Sequence, residues 1–205
     1  MEYKNLPIPE FNNLLASKMA TPGGGGASAL VGALGASLVQ MVGNLTVGKA
    51  KYAEHEPEIL EIMAEAKELG EELLSLIDED AKAFEPLSKA YSIPKDAPER
   101  AQTLEKCLVG AASVPMIILQ RVCRVIELHE ILAEKGSVLA VSDVGTGVVF
   151  AWAAMYGAAM NVRVNTHFMT DLEEKTRINA QVDELMQKYW PIAEKTYEKV
   201  WEKLS

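Results

Sequence analysis

The run TPGGGGASALVGALGASLVQMVGNLTVGK, Thr21 to Lys49, limits the possible folds more than any other part of the chain. It opens on four glycines, carries no charge before its last residue, and ends as G-x-x-x-x-G-K over Gly43 to Lys49. A phosphate loop needs a strand before it, a helix after it and a Ser or Thr following the lysine. Here the pattern is helical throughout, and Ala50 stands where the hydroxyl should be. A membrane span is long enough at Gly23 to Gly48 to cross a bilayer of roughly 30 Å. Its composition argues otherwise: Gly, Ala and Ser dominate, Gln40, Asn44 and Thr46 interrupt it, and neither flanking Trp or Tyr nor a preceding basic cluster is present. A buried helix accounts for the same residues. Ala29, Ala33 and Ser37 form one small row at i, i+4 spacing and Ser28, Gly32 and Ala36 another, so a second helix backbone can approach closely. Matching small positions, Gly145, Ala153, Ala154, Gly157 and Ala158, lie in the equally apolar Val138–Asn165. The two segments are expected to pack on each other, or each on its copy in a dimer.

The rest of the chain is also helical in pattern. Asn12–Met19 is a short helix candidate, and Ala27–Val47 is the helix of the opening run. Pro57 suits the first turn of a long helix reaching about Tyr91, with a kink expected at Pro86. Asp96, with Glu99 three residues on, reads as a capping box for a helix to Lys135 that stops at Gly136. Ser137 or Ser142 starts the next helix, and Thr170 with Glu173 reads as a second capping box before a last helix to Leu204. With no repeat, low-complexity segment or long linker, residues 1–205 read as one all-α, up-and-down bundle with two charge-poor central helices.

The net charge of -9 argues against a nucleic-acid groove, which needs clustered Lys and Arg. Cys107 and Cys123 suggest neither a disulfide framework nor a zinc knuckle, so a cytoplasmic location is expected. MEYKNLPIPEF lacks the basic and apolar regions of a signal peptide. His55, His129 and His167 are scattered without a metal-ligand spacing, so no metal is expected and each reads as a surface or satisfied core residue.

Polar residues on apolar faces are the candidates for chemistry. Asp80 falls on the stripe of Leu69, Leu73, Leu76, Ile77, Phe84 and Leu87, whereas Asp78 is expected to point elsewhere. A carboxylate there is either paired with a neighbouring helix or holds a raised pKa suited to a general acid or base. Asp143, after Ser142, is a second candidate, or a helix cap. Asn161 and Asn165 share a helix face, and their amides can read a planar heterocycle. Asp143 and Asn161 lie roughly 27 Å apart along one helix, so both meet one ligand only if the helix breaks or a second subunit contributes. Gly23, Gly24, Gly25 and Gly26 free the backbone for unusual φ/ψ and for contact with a ligand, or form a flexible entry loop. Lys49 could hold a substrate carboxylate or be a solvated helix end.

Together, the glycine-rich run, LIDEDAKAF (Leu76 to Phe84), AASVP (Ala111 to Pro115), VSD (Val141 to Asp143) and NVRVN (Asn161 to Asn165) resemble the cyclodeaminase/cyclohydrolase family of folate enzymes. That family includes formiminotetrahydrofolate cyclodeaminases and methenyltetrahydrofolate cyclohydrolases. The resemblance implies an all-helical homodimer with a tetrahydrofolate derivative near the subunit interface, no other cofactor, no nucleic acid and no membrane. It also implies a catalytic Asp in the D-x-D-A motif, which falls on Asp80. Arg163, Thr166 to Asp171 and Gly136-Ser137 depart from the family pattern. Since no formiminotransferase domain accompanies the chain, the cyclohydrolase is the expected reaction, with the cyclodeaminase and a non-catalytic folate-binding dimer as alternatives.

Overall fold

A computed structural model describes residues 2–205. Among them there is no strand, and six α-helices carry the chain: α1 (Ile8–Leu15), α2 (Gly24–Asn44), α3 (Glu56–Ala90), α4 (Arg100–Lys135), α5 (Val141–His167) and α6 (Leu172–Leu204). Short 3-10 turns cover Tyr3–Asn5, Ala50–His55 and Val138–Ala140.

The long helices pack as an up-and-down bundle. α2 touches α3, α4 and α5, while α4 touches α2, α3, α5 and α6. The bundle therefore has a third central helix beside the two charge-poor ones. α4 carries charges in its body as well as at its ends, yet Ile118, Leu119, Val122, Ile126, Leu128 and Leu132 are fully or almost fully enclosed. Three of its cations turn toward α3, where Arg121 meets Glu72 at 2.7 Å, Arg124 meets Glu65 at 2.6 Å and Lys135 meets Glu58 at 2.6 Å, while Glu127 and Glu134 pair with Lys188 and Lys199 of α6.

α2, α4 and α5 are each long and apolar enough to cross a membrane, but half or more of each apolar window is buried within the bundle. Small residues permit the close packing of α2 on α5, although the contacts differ from the expected rows. A Cβ at Gly35 would lie 3.3 Å from the Gly147 carbonyl, and Gly157 faces the Ser28 hydroxyl. Gly32 instead admits Val122 of α4, Gly145 admits Val200 of α6, and Ala153 is exposed. Gly24 lies beside Asn161 and Gly35 beside Ala151, so α2 and α5 run antiparallel. His129 is a core residue: its Nε2–H donates to the Gly35 carbonyl at 3.0 Å, and the ring occupies the space that a side chain at Gly147 would need.

Several helix ends differ from expectation. α1 begins four residues before Asn12, with Pro9 in its first turn. α2 begins at Gly24 rather than Ala27, so three glycines are its first turn. Asp96 caps nothing; α4 starts at Arg100 after turns through 94–100, without a side-chain cap. At the start of α6 the cap is Asp171, whose carboxylate accepts from the N–H groups of Glu173 and Glu174 at 3.1 Å. Thr170 instead donates its hydroxyl to Glu105 at 2.7 Å. Gly136 does end α4, but at φ -75°, where its lack of a side chain accommodates the Leu132 carbonyl and Val42.

Candidate active site

The first turn of α2, the last third of α3, Ala111 and Pro115 of α4, and the last turns of α5 enclose a cavity of about 210 Å³. Asp80, Gly23, Gly24, Gly25, Asn161 and Asn165 all line it, with Thr21, Phe84 and Val164 closing the rim.

Asp80 is half-buried, and its only protein hydrogen bond among the described residues comes from the Gly26 N–H to Oδ2 at 3.0 Å. Burial disfavours its charged form and outweighs that donor, raising its pKa from 3.8 to about 6. Near neutrality such a group can accept a proton and return it. Asp78 points away from this cavity, as its helical phase suggested, but not into solvent. It is 6% exposed and accepts the Tyr3 N–H at 2.5 Å, because the N-terminal 3-10 turn folds over that side of α3.

The glycines matter for closeness rather than for unusual dihedrals. Gly23 is extended, at φ -117° and ψ -161°, and Gly24 to Gly26 are helical. A Cβ at Gly25 would collide with the Asp80 carboxylate, and one at Gly24 would lie 2.9 Å from Asn161 Nδ2. The α2 N-terminus thus presents bare backbone to the carboxylate and the cavity.

Asn161 and Asn165 meet at this cavity as expected, but backbone carbonyls already engage one N–H of Asn161 and both of Asn165. Asn161 Nδ2 donates to the Gly157 carbonyl at 2.8 Å, and Asn165 Nδ2 donates to the carbonyls of Asn161 at 2.8 Å and Ala111 at 3.1 Å. The bond to Ala111 explains Pro115, which sequence reasoning did not single out as a site residue. A proline has no N–H, so the carbonyl four residues back loses its helical donor. Asn165 supplies the missing donor to Ala111 and is fixed by it, leaving its Oδ1 as the open acceptor. A proline inside an otherwise helical run, with a cavity amide one helix away, was the available signal.

The other candidates lie elsewhere. α5 is unbroken, so Ser142 and Asp143 sit in its first turn, at the end opposite Asn161. Neither side chain caps the helix; Ser142 lines an apolar groove with Tyr197, Val200 and Trp201 of α6. Lys49 precedes the 3-10 turn beyond the far end of α2 and is exposed. Within one chain, then, the sequence candidates form two groups at opposite ends of the α2–α5 pair. Arg163 faces away from the cavity and pairs with Asp183 of α6. No three His, Cys, Asp or Glu side chains converge as a metal site among the described residues.

Residues 7–184 match the family model described as formiminotransferase-cyclodeaminase. The chain belongs to this family. It is 39% identical to a methenyltetrahydrofolate cyclohydrolase from Methylorubrum extorquens, over 98% of this chain and 99% of that protein. It is also 30% identical to the formimidoyltransferase-cyclodeaminase of Sus scrofa, over 88% of this chain but only 34% of that longer protein. Among solved structures, the crystal structure of formiminotetrahydrofolate cyclodeaminase from Thermotoga maritima superposes with a TM-score of 0.87 at 29% identity, covering 99% of this chain and 98% of that one. The family fold is thus present from end to end, and Asp80 belongs to the DEDAKAF run that carried the resemblance.

Proposed function

We propose that this family member is a cytoplasmic methenyltetrahydrofolate cyclohydrolase, opening the N5–N10 one-carbon bridge of 5,10-methenyltetrahydrofolate with water to give formyltetrahydrofolate. The observation that carries this reading is Asp80, a carboxyl group with a pKa of about 6, held by one backbone N–H in a narrow cavity. The full-length likeness to a protein named for that reaction supports it.

A flat pterin fits against the side-chain-free start of α2, and the two Asn amide oxygens can accept from ring N–H groups. Water adds to the electrophilic methenyl carbon as the Asp80 carboxylate takes one of its protons, leaving a neutral hydroxylated bridge. One C–N bond then opens. The departing nitrogen takes the proton held by Asp80, while the hydroxyl proton leaves to solvent as the formyl C=O forms. Nothing beyond the folate substrate is required. The cyclodeaminase is the second reading, favoured by the structural likeness to a formiminotetrahydrofolate cyclodeaminase; there Asp80 would protonate departing ammonia.

The working form is read as a homodimer. Leu34 and Met41 of α2, Leu45 just after it, and Val149, Tyr156, Met160 and Val164 of α5 are exposed on a face without charged residues that reaches the cavity at Val164. An apolar face of this extent calls for a partner. A two-fold axis near Ala153 would set two α5 helices antiparallel, bringing Ser142 and Asp143 of the partner subunit toward Asn161. That arrangement would unite the two separated groups of candidates.

The deciding experiment follows methenyltetrahydrofolate absorbance with purified protein, alongside ammonia release from formiminotetrahydrofolate. Accelerated loss of absorbance, with ammonia release absent or slower, is expected. Ammonia release alone would select the cyclodeaminase, and tight binding without either reaction would make the protein a folate-binding dimer.

A further inference from the structure

Resting on the folate reading of the Asp80 cavity, the geometry points to the neighbouring cleft between the N-terminal segment and α3 as the seat of the substrate's acidic p-aminobenzoyl-glutamate tail, with Lys82 binding its carboxylate. The Asp80 cavity, at about 210 Å³, is smaller than the 300–1,000 Å³ typical of pockets that enclose a drug-sized ligand. Ala20, Thr21 and Phe84 line both it and a second cleft of about 440 Å³, so the two spaces meet across these residues. A ligand with its ring system beside Asp80 would reach that cleft across this shared boundary.

The cleft's chemistry changes along this path. Beside the shared Phe84 stand Ala81 and Tyr3, a wall suited to an aryl ring. The Tyr3 hydroxyl lies 2.9 Å from that of Thr21, tying the N-terminal side of the wall to the approach to α2. Further round α3 come Lys82, Glu85 and Lys89. Glu85 is taken by Lys89 at 2.6 Å, and Asp78 is turned under the Tyr3 N–H. Lys82 lines the cleft, is exposed and has no ion-pair partner among the described residues. Pro86 adds a neutral acceptor, because without an N–H it leaves the Lys82 carbonyl lacking its usual helical donor. A cation and a freed carbonyl on one residue suit a carboxylate linked to an amide N–H, which is how each glutamate of such a tail is built. Lys49, the lysine that sequence alone offered for a folate carboxylate, lies at the other end of α2.

The test compares kcat/KM for the methenyl derivatives of tetrahydropteroate, which has no glutamate, and of its mono- and triglutamate forms. The wild type should favour the tailed substrates, and that preference should shrink as ionic strength rises. Lys82→Glu should cut the triglutamate-to-tailless ratio by about tenfold or more, while Lys82→Arg keeps most of it. Circular dichroism guards against misfolding, and the arginine variant together with the salt series still judges the idea if the glutamate variant is unstable. Equal kcat/KM for all three substrates in the wild type, or an undiminished ratio in a folded Lys82→Glu variant, would remove the tail site while leaving the cyclohydrolase reading intact. No turnover of any of the three would remove both.

Discussion

Asn in place of Asp80 keeps the side chain's shape and can still accept the Gly26 N–H, but it cannot carry a proton between water and the substrate. Turnover should fall by about two to four orders of magnitude, with helix content unchanged. Since the ionised carboxylate is the base in hydrolysis, wild-type kcat should rise with pH through about 6 and level off, and the limb should vanish in Asp80→Asn. A pH profile that is identical in the two proteins would move the proton transfer to another group. Gly25→Ala supplies an independent check. Its Cβ would displace the carboxylate it touches, so activity should fall about a hundredfold or more, yet alanine is the better helix former by about 1 kcal/mol. The expected signature is a nearly inactive protein with an unreduced melting temperature, read from kcat and thermal denaturation together. Asp78→Ala should show the converse: it frees the Tyr3 N–H and loosens the N-terminal segment while leaving the proton carrier in place.

At the scale of the helices, Pro115 and Asn165 form one device. Pro115→Ala restores an N–H that competes for the Ala111 carbonyl, strengthening α4 while releasing the amide that lines the cavity. The variant should melt at a higher temperature than the wild type and show a severalfold higher KM for the folate substrate. Steady-state kinetics beside calorimetry would reveal the opposed changes; an unchanged KM would mean that the Ala111 contact does not position Asn165. Much of the helical plan was readable in the sequence because it rests on periodicity: α3 starts one residue before Pro57, and α5 follows the charge-poor run. Capping was less legible. Asp96 and Thr170 had suitable side chains, but the turn before α4 and the pull of Glu105 on Thr170 are tertiary effects. Asp80 was visible as a carboxylate interrupting an apolar stripe, whereas the burial of Asp78 depends on a segment 75 residues away. The central place of α4 was hidden by charges that the bundle pairs with α3 on one side and with α6 on another.

For the whole molecule, two titrating groups pull against each other. His129 has a folded pKa of about 4 against an ordinary 6.5, because burial disfavours its cation and outweighs the Gly35 contact. The unfolded chain binds the extra proton between those values, so this contribution is present at neutral pH and lost as pH falls from 6.5 toward 4, on the order of 3 kcal/mol in all. Asp80 runs the other way. Its raised folded pKa makes the folded chain bind the extra proton between 3.8 and about 6, so its contribution is present below that window and lost as pH rises through it. The two slopes oppose one another between about 4 and 6, and Asp80→Asn should expose the His129 slope as a steeper loss of stability on acidification, measured by urea denaturation at a series of pH values. The unbroken α5 has a consequence that reaches past one chain. If Asp80 of one subunit works with Asp143 of the other, Asp80→Asn and Asp143→Asn proteins should each be nearly inactive alone and complement each other when unfolded and refolded as a mixture. Random pairing makes half the dimers mixed, each with one intact site and one doubly altered, so recovery should approach about a quarter of wild-type activity. Two inactive preparations that repair one another would show that Asp80 and Asp143 act across the two copies.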